Sequence, residues 1–83
     1  MTRYALTFHA ETRDPGHTVW SCHDGRLEGT LEDLRGLAAA LRLPDLREDI
    51  TDAAAVIDDG QTAFTVAHAD EEDFRLDMDL ERA

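Results

Sequence analysis

Lysine is absent from this sequence and cysteine occurs once. No apolar run comes near the roughly 20 residues that a membrane-spanning helix requires. Each absence narrows the field. A lone Cys22 cannot close an internal disulfide, so a reducing compartment is expected, and with no membrane span the expected location is cytoplasmic. The opening MTRYALTFHAETRD lacks a basic region followed by an unbroken apolar core, so a secretory signal is not expected. There is no glycine-rich phosphate loop and no internal repeat. Without lysine, eight arginines face nineteen acids, for a net charge of -11. That balance opposes direct contact with nucleic acid, whose phosphates need cations. It favours solubility and rapid encounter with basic partners.

What remains is enough for one small domain spanning residues 1–83. Apolar residues make up 42% of the chain, too many for disorder, although 83 residues is close to the size at which a core becomes hard to bury. The charge is unevenly placed. Residues 1–44 hold five arginines and six acids, whereas residues 45–83 hold three arginines and thirteen acids, so the acidic half begins at about residue 45.

Hydrophobic periodicity divides the chain into elements. RYALTFHAE alternates, with Tyr4, Leu6, Phe8 and Ala10 on one face, as a half-buried strand does. TVWSCH reads as a second strand, and Asp24-Gly25 as a tight hairpin turn folding RLEG back as a short third, with Leu27 opposite a buried Cys22. Thr30 with Asp33 predicts a helix start, and Leu34, Leu37, Ala38 and Leu41 form its inward stripe. Pro44 should end that helix, and PDLREDI adds a short turn. AAAVI and TAFTVAHA read as strands around a DDGQ hairpin. In the closing segment Phe74, Leu76, Met78 and Leu80 recur at a spacing of two, which is strand rather than helix. The expected fold class is α+β, a small, mostly antiparallel sheet in the order β-β-(β)-α-β-β-β with one main helix on a face.

RYALTFHAE, TVWSCHDGRLEGT and LEDLRGLAAAL, with the helix opening after Gly29-Thr30-Leu31-Glu32, resemble in order the start of the HicB-type antitoxin fold. The likeness ends within the first half of the chain. The proline-rich segment usual between that family's second and third strands is missing, as is a DNA-binding tail. The resemblance implies a strand-to-helix order and carries no function across by itself.

Chemistry-bearing motifs are sparse. His9, His17, Cys22, His23 and His68 follow none of the usual zinc spacings, and neighbours on a strand such as Cys22 and His23 point to opposite faces. No metal, cofactor or catalytic residue is therefore expected, and Cys22 is read as a structural side chain. The acids carry more information. Asp77, Asp79 and Glu81 should project outward in a row from the last strand, extended by Asp70, Glu71, Glu72 and Asp73, with Asp58 and Asp59 as a second cluster. A solvated surface or adaptation to high salt also yields an acid excess, but neither gathers it at one end of the chain. The expectation is a small acidic inhibitor or adaptor, not an enzyme, that contacts a basic protein surface through these nine residues. Its sharpest form is a nucleic-acid mimic blocking a nucleic-acid-binding protein, by analogy of size and charge with phage antidefence proteins such as anti-CRISPRs. An antitoxin or immunity protein is the alternative, followed by a small enzyme or metal-binding protein using Cys22 and histidines.

Overall fold

A computed structural model describes residues 2–83. The elements are β1 (Arg3–Thr12), β2 (Ser21–Thr30), α1 (Leu31–Ala40), α2 (Pro44–Asp58), β3 (Ala63–Asp70) and β4 (Phe74–Arg82). The strands form one antiparallel sheet in the order β2-β1-β4-β3. Both helices lie on one face, as expected for the α+β class, leaving the other face bare.

Local chemistry explains the helices. Thr30 and Asp33 form a reciprocal capping box: Asp33 N–H donates to Thr30 Oγ1 at 3.2 Å, and Thr30 N–H donates to Asp33 Oδ2 at 3.1 Å. Pro44 both follows the end of α1 and opens α2 at its first turn, where a missing N–H costs nothing. In α2 the residues Ile50, Ala53, Ala54 and Ile57 make a buried i, i+3, i+4, i+7 stripe. They meet Tyr4, Leu6 and Leu80 from the sheet, Val66 from β3, and Leu34 and Ala38 from α1.

Three sequence-based expectations need correction. AAAVI is not a strand but the second half of α2; its alanines favour helix, and the stripe begun at Ile50 carries the period through it. DDGQ is accordingly the link from α2 to β3, with Gly60 at φ 116°, not a hairpin loop. Asp24-Gly25 makes no turn, and there is no separate third strand. Instead β2 runs unbroken for 10 residues paired along β1, with Gly25 opposite Phe8. A Cβ on Gly25 would lie 2.2 Å from Phe8 Cε1, so the glycine is there to let the ring lie across the strand. The real reversal is Asp14-Pro15-Gly16, where His17 N–H donates to Asp14 O at 3.0 Å and Gly16 adopts φ 82°. Trp20 belongs to that connection, and the guanidinium groups of Arg13 and Arg75 lie 4.7 Å and 4.1 Å from its ring centroid.

The helices cover only one end of the sheet, in a molecule measuring 46 × 25 × 17 Å. Along β4 burial therefore declines from Leu80 (0% exposed) through half-buried Met78 and Leu76 to Phe74 (36%). A register shift between Thr65 and Ala67 inserts Val66 into the core and moves His68 to the bare face, across from Asp77.

Candidate functional site

The bare face of the sheet is built by strand alternation alone. Across all four strands the register aligns His68, Asp77, His9 and Asp24 in one row, and Asp70, Arg75, Glu11 and Cys22 in the next. Neighbours in these rows are mostly of opposite or complementary character, the pairing that stabilises a sheet surface. His68 Nδ1 is 2.6 Å from Asp77 Oδ1, and Thr65 donates to Asp79 at 2.8 Å. Arg26 bonds both Glu81 and Glu28, and Arg75 reaches Glu11 at 3.3 Å and Asp70 at 3.6 Å. His9 sits between two carboxylates, Glu11 at 2.9 Å from Nε2 and Asp24 against Nδ1. Those hydrogen bonds, Glu11's first, raise the imidazole pKa above its ordinary value; the same contact with His9 holds Glu11 below its own.

This geometry sorts the nine acids singled out from sequence. Asp77, Asp79 and Glu81 do lie in a row pointing away from the helices, as alternation requires, but each already has an intramolecular partner. Asp73 is held by Arg13 at 2.9 Å, and Asp58 accepts from Tyr4 Oη at 2.7 Å and Arg82 at 3.2 Å. Glu71 and Glu72, in the turn between β3 and β4, and Asp59 at the end of α2 are exposed and have no side-chain partner among the described residues. The Asp58–Asp59 and Asp70–Asp73 clusters sit at opposite ends of the sheet. Seven residues of β3, 63 to 69, lie between them, roughly 23 Å at strand rise.

Cys22 departs from expectation. It is exposed and faces Glu11 on the bare side, not Leu27 in a core. The assumed Asp24-Gly25 turn would have folded β2 upon itself; the continuous strand puts residues 22 and 27 on opposite faces.

A second feature is hidden in the linear sequence because it depends on α2 being one helix. Asp45, Glu48, Asp49 and Asp52 occupy its outer surface and form no side-chain hydrogen bond or ion pair among the described residues. Two of these carboxylates, Asp45 and Asp49, rim a hollow of about 520 Å³ between α2 and the uncovered sheet, floored by Leu43, Leu46, Leu76 and Met78. An adjoining hollow of about 400 Å³ continues past Asp49 and Asp52 along β3 to Phe64. Toward α1, Arg35, Arg42 and Arg47 gather with Glu48 and Asp52 around another concavity; these side chains form no ion pair among the described residues. Among the described residues, no helix is long and apolar enough to cross a membrane. Comparison with protein families, curated proteins and solved structures yields no match, so the likeness to HicB-type antitoxins rests on the order of two strands and a helix.

Proposed function

We propose that this chain is a small acidic binding protein that docks a basic, amphipathic segment of another protein along the groove beside α2. The observation that carries this reading is the combination of an unfilled apolar floor, Leu43, Leu46, Leu76 and Met78, with unpaired carboxylates on its rim. The rim is retained at a cost, since Asp45 with Asp49 and Glu48 with Asp52 are like charges at i, i+4, which weaken a helix. Apolar contact would supply affinity, and the carboxylates would steer approach and fix orientation. In the nucleic-acid-mimic form of this function, the carboxylates free to stand in for phosphates are those of α2 together with Glu71 and Glu72, rather than the paired row on β4. Neutralising a cognate toxin would use the same contact. Catalysis is less well supported, because Cys22 and His9 meet exposed to solvent on the bare sheet face, whereas active sites are usually concave.

Titrating the isotope-labelled protein with a cationic amphipathic peptide of leucine and lysine tests the surface. NMR shifts should concentrate at Leu46, Leu76 and Met78. Reversing Asp49 and Asp52 to arginine should weaken binding by about tenfold or more, or at least 1.4 kcal/mol, whereas reversing Asp77 and Asp79 should have little effect. Shifts centred on the bare face, or affinity indifferent to the α2 reversals, would refute the assignment.

A further inference from the structure

On the bare face, His9, Glu11 and Cys22 bring a nitrogen, an oxygen and a sulfur donor within 4.8 Å of one another. Strand geometry produces the cluster. His9 and Glu11 are two residues apart on β1 and so share a face, and Cys22 is the direct cross-strand partner of Glu11. Asp24 engages His9 Nδ1, leaving Nε2 aimed at Glu11. A carboxylate on one ring nitrogen is the usual support of a metal-binding imidazole, because it fixes which nitrogen is free to ligate. Arg75 holds the other oxygen of Glu11, Oε2, at 3.3 Å, so Oε1 remains for the cluster. Linear spacing conceals all of this, because the ligands come from two strands joined by a hairpin.

We propose that His9 Nε2, Glu11 Oε1 and Cys22 Sγ bind a zinc-type divalent cation, with Asp24 as a positioning residue and water completing the coordination. The donor set selects the class of ion: thiolate with imidazole suits zinc, whereas calcium and magnesium take oxygen ligands. Bonds of about 2.0–2.3 Å in a tetrahedron place donors roughly 3.3–3.8 Å apart. On binding, His9 Nε2 and Glu11 Oε1, now 2.9 Å apart, therefore part by a few tenths of an ångström while Cys22 Sγ closes by up to about 1 Å from within the 4.8 Å span, a rearrangement open to exposed side chains. The ion replaces the thiol proton of Cys22 and adds positive charge to a chain of net charge -11. The site lies on the far side of the sheet from the α2 groove and is independent of the binding role proposed for it.

Titrating the reduced full chain with cobalt(II), followed by displacement with zinc, tests the site. The expected result is saturation at one ion per chain with a near-ultraviolet thiolate-to-cobalt band that zinc removes. Cys22→Ser should abolish the band, and His9→Gln or Glu11→Gln should weaken binding by about tenfold or more. Asp24→Asn should keep the band but weaken binding by about tenfold, as loss of an orienting partner does. His23→Gln and His68→Gln should change nothing. In the unsubstituted protein, zinc should also slow reaction of Cys22 with a thiol reagent. Absence of the band, a band undiminished in His9→Gln, or equal losses from His23→Gln would overturn the proposal, the last by revealing scattered surface binding.

Discussion

Tyr4 shows how one side chain ties the core to the rim. Its ring is 3% exposed, and its hydroxyl donates to Asp58, itself bonded to Arg82. Burial first, then the hydrogen bond to Asp58, raises its pKa above 10.0. Because the folded pKa is the higher, the stability linked to Tyr4 is fully present below pH 10 and is lost as pH climbs through the raised value. Tyr4→Phe should cost about 1 kcal/mol at neutral pH and flatten the alkaline decline, measured by urea unfolding at pH 8, 10 and 11. An equally steep decline in the variant would assign it to other groups. Cys22, being exposed, should react with a thiol reagent in the native fold, and Cys22→Ala should alter stability by less than about 0.5 kcal/mol. A thiol that reacts only on unfolding would restore the buried placement that an Asp24-Gly25 hairpin implies.

At the scale of elements, α2 and β2 each work against a local preference. The outer face of α2 carries like charges at i, i+4 and no basic residue in its last turn, both unfavourable to a helix. Asp52→Arg should therefore stabilise the protein by a few tenths of a kcal/mol, roughly 0.2–0.5, even as it weakens capture of a cationic peptide. Gains and losses of the same sign in both measurements would mean that the acids serve the fold. In β2, Gly25 has poor strand propensity yet is needed for Phe8. Gly25→Ala should cost about 1–3 kcal/mol by forcing the ring aside, and much less in a Phe8→Ala background, a coupling that a double-mutant cycle reads directly. Additive effects would show that the ring and the glycine do not share that space.

For the whole molecule, charge dominates. With a net charge of -11, long-range repulsion is screened within a Debye length of about 10 Å at 0.1 M salt. The melting temperature should accordingly rise as salt increases from low ionic strength. A falling midpoint would indicate that the ion pairs of the bare face outweigh the repulsion. Direct binding to DNA or RNA is not expected at micromolar concentration and physiological salt, since Arg35, Arg42 and Arg47 share their concavity with Glu48 and Asp52 and the surrounding field is negative. A gel shift under those conditions would contradict this.

Period and capping are enough to read β1, β3, β4 and the start of α1. Alternation on β4 by itself also puts Asp77, Asp79 and Glu81 on the outward face. These features are local: a strand repeats every two residues, and Thr30 needs only Asp33. The rest depended on partners distant in the chain. Asp24-Gly25 is turn-like in isolation, but uninterrupted pairing with β1 and the ring of Phe8 keep it in a strand. AAAVI is apolar enough for either element, and the sheet surface waiting for Ile50, Ala53, Ala54 and Ile57 makes it helix. Whether an acid is free could not be read from order along the chain, because His68, Thr65 and Arg26 reach the β4 row only through register and a bulge. The meeting of His9, Glu11 and Cys22 has the same origin, since cross-strand pairing brings together residues that spacing along the chain keeps apart.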